Sequence, residues 1–154
     1  MKQQANGSPQ PHSRITRQRR VILEELRKVN WHPSASELYE LVRKRLPRVS
    51  LGTVYRNLEV LSARGHVRKL QTGGTQRRYD GNASNHYHVC CVRCGRVEDV
   101  PMELMPSLEE SARQATDYEI IGHQVAFTGF CPECREGRRV SPGRGGEKKG
   151  KGKR

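Results

Sequence analysis

The stretch Ser50-Leu-Gly-Thr-Val-Tyr-Arg-Asn-Leu58 predicts the helix around which the N-terminal half of the chain is organised. Ser50 is a preferred N-cap residue. Gly65 predicts the end of the helix, because glycine readily adopts the left-handed conformation of the C′ position. Between these two residues, apolar side chains recur at helical spacing and predict one buried face, made of Val54, Leu58 and Leu61.

Two further helices are predicted on the N-terminal side of this segment. Residues 16–29 have Thr16 as N-cap, and Ser34-Ala-Ser-Glu37 has the pattern of a capping box. Pro47 predicts the end of the second helix, since proline cannot continue a helix. The apolar stripes of the two helices are Ile22, Leu26 and Val29 in the first, and Leu38, Leu41, Val42 and Leu46 in the second.

A β-hairpin is predicted after the third helix, because residues 66–71 and 77–80 flank the turn signal Thr72-Gly-Gly-Thr75. Three short helices followed by a hairpin is the order of a winged helix-turn-helix domain, whose third helix enters the major groove of DNA. Thr53, Tyr55 and Arg56 fall outside the apolar face of that helix, and such side chains can contact bases or phosphates. A solvated helix face would have the same composition.

The charge distribution favours DNA over a merely solvated face. Residues 1–80 have 17 Lys and Arg against 6 Asp and Glu, whereas residues 81–134 have 3 against 8. A basic first half predicts contact with a polyanion, and an acidic second half rich in metal ligands predicts regulation. We expect Tyr55 and Arg56 to be the main groove contacts and Arg14 to reach the backbone or minor groove. The basic residues around them are Arg14, Arg17, Arg19, Arg20, Arg77 and Arg78.

Two Cys-x-x-Cys pairs, Cys91-Val-Arg-Cys94 and Cys131-Pro-Glu-Cys134, are separated by 36 residues. Four thiolates in two such knuckles can close a tetrahedral zinc site with no open position, which is typical of structural zinc. A redox pair would need a βαβ context that the sequence lacks. Disulfides are not expected, because residues 1–14 are polar and do not resemble a secretory signal. Cys90, the fifth thiol, would break the symmetry of the knuckles as a ligand.

A second and chemically different cluster surrounds the first cysteine pair. Asp80, His86, His88 and Asp99 offer nitrogen and oxygen ligands. Imidazole with carboxylate suits exchangeable iron, manganese or zinc. One permanent metal beside one exchangeable metal is the composition expected of a sensor.

The remaining residues predict a small α/β unit and a tail. Residues 87–91 and 96–100 are β-rich, residues 104–115 form a helical pattern with Leu104, Leu108, Ala112 and Ala115 on one side, and residues 118–130 are again β-rich. The sheet edges of such a unit could pair with a second subunit. Residues 136–154 are basic and glycine-rich, which predicts disorder. This tail either adds non-specific phosphate attraction or only increases solubility.

The chain as a whole resembles the ferric uptake regulator family of bacterial metal-dependent repressors over about residues 14–135. The matching stretches are Arg14-Ile-Thr-Arg-Gln-Arg19, His32-Pro-Ser-Ala-Ser-Glu-Leu-Tyr39, Ser50 to Leu58, His86-Tyr-His88 and both cysteine pairs. The resemblance implies an α+β fold with a winged helix-turn-helix DNA-binding domain (14–81) after a flexible N-terminus (1–13). An α/β dimerisation and metal-binding domain (82–135) would follow, whereas the family explains neither the basic tail (136–154) nor Cys90. It also implies a cytoplasmic homodimer on double-stranded operator DNA.

The resemblance further implies a regulatory Fe(II) or Mn(II) site at the domain junction, besides the Zn(II) of the four cysteines. Its ligands would be His32, Asp80, His86, His88 and Asp99. His32 is added by the resemblance alone, because a single histidine before a proline is usually an ordinary surface residue. Metal binding would fix the two domains in the orientation that presents both recognition helices of a dimer to DNA.

Two details resemble the peroxide-sensing branch of the family. The hinge ligand is Asp80, where iron-sensing members usually carry Glu, and Asn85 and Tyr87 replace residues that build a further metal site. His123 matches a ligand of that further site but lacks its partners. The resemblance implies iron-catalysed oxidation of a ligand histidine by hydrogen peroxide. Iron sensing, without such oxidation, is the alternative.

Functions of other classes are less well supported by the residues. A metal-dependent hydrolase using His86, His88 and Asp99 needs a general base and a substrate pocket, and the sequence has no His-Glu-x-x-His motif. The expectation is therefore a protein that is not an enzyme. A thiol switch could use Cys90 or the cysteine pairs, and a switch built on the cysteine pairs would release the structural zinc first. No apolar run is long enough to span a membrane.

Overall fold

The computed structural model of the protein describes residues 15–70 and 76–137. Three helices, α1 (Arg17–Lys28), α2 (Ala35–Val42) and α3 (Leu51–Ala63), precede a two-stranded antiparallel sheet of β1 (Arg68–Leu70) and β2 (Arg78–Asp80). This is the winged-helix order that the sequence predicts. The turn at residues 72–75, the N-terminal segment with Arg14, and the tail from residue 138 onward lie outside the described residues.

The three helix starts follow the predicted capping chemistry. Thr16 accepts a hydrogen bond from the Arg19 amide, Ser50 accepts one from the Thr53 amide, and Ser34 forms the complete capping box with Glu37. The second helix is shorter than predicted and ends at Val42. The amides of Arg45 and Leu46 both donate to the Val42 carbonyl oxygen, so the chain tightens into a turn before it reaches Pro47.

The end of α3 is formed as the sequence predicts. Gly65 has a φ of 71°, a left-handed conformation that costs glycine little. The His66 amide donates to the Leu61 carbonyl oxygen at 2.9 Å and the Gly65 amide to the Ser62 carbonyl oxygen at 3.0 Å. These bonds satisfy carbonyl groups that the helix end would leave unpaired.

One apolar core lies between the three helices and the small sheet. Each of the three predicted stripes contributes to it, with Val29, Leu41 and Leu46 only partly buried. Tyr79 of β2 enters the core with about 1% of its surface exposed and thereby fixes the wing to the helices. The buried residues of the core are Val21, Ile22, Leu23, Leu26, Ala35, Leu38, Val42, Val49, Val54, Leu58, Leu61, Val67 and Tyr79.

The second half contains β3 (Tyr87–Cys91), β4 (Val97–Val100), α4 (Pro106–Ala115), β5 (Ala126–Gly129) and α5 (Pro132–Arg135). The sheet has the order β4-β3-β5, with β4 antiparallel and β5 parallel to β3. Only four residues of the β-rich stretch 118–130 form a strand. The side chains of α4 are not buried in this chain. The α+β fold class is therefore as predicted, although much apolar surface of the second half is exposed.

The segment Trp31–Ser34, here called the junction segment, connects the two halves. Trp31 forms an antiparallel bridge with Glu98, and the His32 amide donates to the Val97 carbonyl oxygen at 2.9 Å. On the other side, Ser34 bridges to Arg78, and the Tyr79 amide donates to the Pro33 carbonyl oxygen at 2.9 Å. The junction segment thus lies between the edge of the wing and the edge of β4.

Within the described ranges, none of the helices has the length and apolar character needed to cross a bilayer.

Candidate metal centres and DNA-binding surface

The four cysteines of the two knuckles come together at one end of the β3–β5 pair. Each offers one sulfur, and the four sulfurs all lie within 4.8 Å of one another. The Cys94 and Cys131 sulfurs are 3.8 Å apart. Ligands at a Zn–S distance of about 2.3 Å in a tetrahedron are separated by about 3.8 Å, so this spacing fits zinc.

Backbone amides stabilise the thiolate of one cysteine in this cluster. Burial of the Cys91 thiol favours its neutral form, but hydrogen bonds from the amides of Cys131, Cys94 and Arg93 outweigh burial and lower its pKa to about 6. The Cys131 amide lies 3.3 Å from the Cys91 sulfur. A thiolate is the form that binds metal, and Cys91 favours it at neutral pH, whereas burial raises the pKa of Cys131 and of Cys134.

Cys90 lies outside this set because neighbouring residues of a strand point to opposite faces of the sheet. Its side chain packs with Leu70 and Val97 in a small apolar cluster. About 8% of Cys90 is exposed.

The second cluster brings together all five residues that the resemblance implies as regulatory ligands. His32, Asp80, His86, His88 and Asp99 each offer one ligand atom, and these atoms all lie within 4.8 Å of one another. His32 comes from the junction segment, Asp80 from the end of β2, His86 precedes β3, His88 lies in β3, and Asp99 lies in β4. The cluster therefore spans both halves of the chain.

Asp99 and Asp80 are the two acceptors around which the rings are arranged. Asp99 Oδ1 lies 2.7 Å from His32 Nε2 and 2.9 Å from His86 Nε2. Asp80 Oδ2 lies 3.1 Å from His86 Nε2 and 3.4 Å from His88 Nε2. Three imidazoles and two carboxylates converging in this way form a nitrogen and oxygen donor set that suits Fe(II), Mn(II) or Zn(II).

The protonation states of His32 and Asp80 also suit a metal. Burial lowers the pKa of His32, although Asp80 and Asp99 oppose this effect. Burial alone would raise the pKa of Asp80, but hydrogen bonds from His88 and the Asn82 amide outweigh it and lower that pKa. Neutral imidazole and ionised carboxylate are the forms that coordinate metals.

Backbone groups orient two of the ligands. His86 Nδ1 lies 2.9 Å from the Ser84 carbonyl oxygen, which favours a proton on Nδ1 and leaves Nε2 as the donor atom. The Asn82 amide donates to Asp80 Oδ1 at 2.7 Å. A cavity of about 330 Å³ leads to the cluster, and its lining includes His32, Asp80 and Asp99. Small molecules can therefore reach this face of the cluster.

The predicted DNA-contacting residues are placed as follows. Tyr55 and Arg56 are exposed on α3, with 45% of Tyr55 accessible. Thr53 is half-buried, and its hydroxyl lies 2.9 Å from Ser50 Oγ and accepts from Arg56 Nη2 at 3.2 Å. Arg19 is also half-buried, and its Nε donates to Asn57 Oδ1 at 3.1 Å. Arg19 therefore braces α3 as well as adding positive charge.

One expectation about the basic surface is wrong. Arg78 is grouped in the sequence with the exposed arginines near the recognition helix, but only 7% of its surface is exposed. The difference is explained by its partners: Arg78 Nη1 donates to the His32 carbonyl oxygen and to Glu37 Oε2, whereas Arg77 precedes β2 and is exposed.

His123 has hydrogen-bond partners that the sequence did not indicate. Its Nε2 lies 2.6 Å from the Tyr87 hydroxyl, and its Nδ1 lies 3.0 Å from Glu109 Oε1. The Tyr87 hydroxyl also accepts from the Met105 amide at 2.8 Å. Tyr87 thus links β3 to His123 and to Met105, the N-cap residue of α4.

The fold and the two clusters define a class: winged-helix proteins with a thiolate zinc-type cluster and a histidine–carboxylate cluster at the domain junction. The chain belongs to the ferric uptake regulator family, whose model matches residues 11–128. It is 36% identical to the peroxide-responsive repressor PerR of Staphylococcus epidermidis over 123 residues, which is 80% of this chain and 82% of that protein.

Solved structures are similar in fold. The Campylobacter jejuni peroxide stress regulator matches with a TM-score of 0.66 and 29% identity, covering 76% of this chain and 88% of that one. The Helicobacter pylori ferric uptake regulator Fur, described as having three functional metal binding sites, matches with a TM-score of 0.65 and 25% identity, covering 79% and 82%.

Proposed function

We propose that this protein is a metal-dependent transcriptional repressor that binds operator DNA as a homodimer and responds to peroxide. The observation that carries the proposal is the five-residue cluster, whose members come from the junction segment, the end of the wing and the C-terminal sheet. The similarity to peroxide-responsive repressors supports peroxide as the signal to which the protein responds. We propose no catalytic activity.

Zn(II) held by Cys91, Cys94, Cys131 and Cys134 would stabilise the C-terminal half. Fe(II) or Mn(II) would be held by His32, Asp80, His86, His88 and Asp99. When bound, Fe(II) supplies the redox chemistry by which hydrogen peroxide oxidises a ligand histidine, whereas Mn(II) does not supply it under the same conditions. The two rings to consider are His32, which lines the cavity, and His86, which is partly exposed.

The positions of the five ligands explain how metal binding could change the affinity for DNA. A metal at this cluster needs His32 and Asp80, which belong to the winged-helix half, together with His86, His88 and Asp99 of the C-terminal half. Binding therefore favours the arrangement in which the two halves are close, and it can change DNA affinity only if that arrangement binds DNA better. Loss of one ligand histidine would remove this preference.

The test uses duplex DNA selected from a random library by the Mn(II)-loaded, zinc-containing protein. The Fe(II)-loaded protein is expected to release this DNA after treatment with low hydrogen peroxide, and the Mn(II)-loaded protein is expected to keep it. Peptide mass analysis should find one added oxygen on His32 or His86 in the Fe(II) sample only.

Two other outcomes would contradict the peroxide assignment. Release of DNA with unmodified histidines, a new disulfide and loss of zinc would indicate a thiol switch. Retention of DNA under peroxide, with release only on iron chelation, would indicate an iron-sensing regulator and would mean that Asp80 does not mark the peroxide-sensing branch.

A further inference from the structure

Arg78 is a buried cation at the junction of the two halves. It lies in β2, two residues before Asp80, and its side chain is only 8% exposed. Burying a charge is costly unless it is paired and hydrogen-bonded. The guanidinium of Arg78 is therefore held in one position by its hydrogen-bond partners.

The partners of Arg78 belong to the segment that carries a regulatory ligand. Arg78 Nη1 donates to the His32 carbonyl oxygen at 2.8 Å and to Glu37 Oε2 at 3.0 Å. Glu37 Oε2 also accepts from the Ser34 amide at 2.7 Å, so the same carboxylate caps α2 and pairs with Arg78. Arg78 thus contacts the backbone of His32 and the residue that fixes the end of the junction segment.

The backbone of His32 is held from both sides by these contacts. Its amide donates to Val97 of β4, and its carbonyl group accepts from Arg78 of β2. The ring of His32 is buried against the cluster, with Nε2 2.7 Å from Asp99 Oδ1. Loss of the Arg78 bond would free the carbonyl side of His32 while leaving all five ligands in the chain.

We propose that Arg78 is a positioning residue for His32 and thereby sets the affinity of the five-residue cluster for its metal. The inference rests on the proposed function of that cluster. A metal needs all its ligand atoms in place at once, and a partner that orients a ligand typically changes metal affinity about 10- to 100-fold when it is removed.

The test variant is Arg78→Lys. Lysine keeps the positive charge, but its compact ammonium group lacks the planar fork that lets one guanidinium bind a carbonyl oxygen and a carboxylate in a fixed geometry. Mn(II) titration of the zinc-containing protein is expected to show an affinity about 10- to 100-fold below that of the unmodified chain. Zinc content and far-UV circular dichroism should be unchanged.

Arg77→Lys is the matched control, because Arg77 is the exposed neighbour in sequence and carries the same charge. Its Mn(II) affinity should equal that of the unmodified chain. Trp31 provides a readout that needs no regulatory metal: it is the only tryptophan in the sequence, is 7% exposed and precedes His32. Its emission should shift to longer wavelength in Arg78→Lys and not in Arg77→Lys.

The inference is overturned if Arg78→Lys lowers the thermal unfolding temperature but binds Mn(II) as tightly as the unmodified chain. Should Arg78→Lys not fold, Glu37→Gln removes the charge that orients Arg78 and is expected to weaken Mn(II) binding several-fold. Unchanged binding in that variant would also overturn the inference. Failure of the unmodified chain to bind Mn(II) at the cluster would instead defeat the proposed function itself.

Discussion

At the scale of single residues, two neighbouring cysteines of β3 have different environments. Cys90 and Cys91 are adjacent, yet one packs with Leu70 and Val97 and the other joins the four-sulfur cluster. The alternation of a strand produces this separation without any difference in residue type. By the same alternation, Cys90 shares a face of β3 with His88, and Cys91 shares the other face with Tyr87.

Cys131→Ser should release zinc and destabilise the C-terminal half, because three thiolates and a hydroxyl cannot complete the tetrahedral thiolate site. Zinc per chain and thermal unfolding measure this. Cys90→Ala is the control and should keep one zinc per chain, with a loss of about 1 kcal/mol from the smaller side chain in an apolar cluster. If zinc were lost in the control and kept in Cys131→Ser, the four-cysteine assignment would be wrong.

At the scale of elements, one face of α3 is buried in the core and the other is exposed. Val54, Leu58 and Leu61 are fully buried in the core, while Tyr55 and Arg56 are exposed. Arg56 Nη2 donates to the Thr53 hydroxyl within the same helix at 3.2 Å, and the side chain is otherwise exposed among the described residues. Its guanidinium can therefore reach DNA without breaking the fold.

Arg56→Ala should weaken binding to the selected duplex by about 1–3 kcal/mol and relax the preference at one base position, if Arg56 reads a base edge. Binding isotherms on the selected duplex and on its single-position variants measure both effects. Arg113→Ala, an exposed arginine on α4, should leave binding nearly unchanged. An equal loss on random DNA would make Arg56 a phosphate contact.

The sequence predicts the elements of the winged-helix half well, because caps and apolar stripes are local signals. Ser34 and Ser50 start helices where expected, and Gly65 ends one. The burial of Arg78 and the position of His32 could not be derived from local pattern. Both depend on contacts between β2, the junction segment and β4, which are distant in sequence, and His32 was found only through the family motif.

The C-terminal half was less predictable for a different physical reason. Its helix α4 has an apolar side, but none of its residues is buried by the part of the chain that the structure describes. Periodicity indicates which residues seek burial and does not indicate whether the same chain covers them. The pairing of β5 parallel to β3 was equally hidden, since a short strand carries no signal for its direction.

At the scale of the whole molecule, the exposed apolar residues of the second half predict a surface that binds another protein chain. Large exposed apolar patches mark interaction sites. The order of the sheet leaves β5 at an edge, and among the described residues no strand other than β3 pairs with it. The large exposed apolar residues of this half are Val92, Met102, Leu104, Met105, Leu108, Tyr118, Ile121, Phe127 and Phe130.

Leu108→Asp should shift the protein from dimer to monomer, because it places a charge in the apolar surface of α4 that a second copy would cover. Light scattering across a dilution series measures the change in mass. Gln114→Glu, about 120° away from Leu108 around the same helix, should keep the dimer. A Leu108→Asp protein that stays dimeric at low concentration would place the dimer interface elsewhere.

The parallel pairing of β3 with β5 has a consequence for how the chain reaches its fold. The knuckles join residues separated by 36 positions, and closing a loop of that length costs roughly 3 kcal/mol of chain entropy. Structural zinc in small peptides binds with roughly 10–16 kcal/mol, which exceeds that cost several-fold. Zinc bound by the two knuckles would therefore stabilise the sheet whose strands β3 and β4 supply His88 and Asp99 to the second cluster.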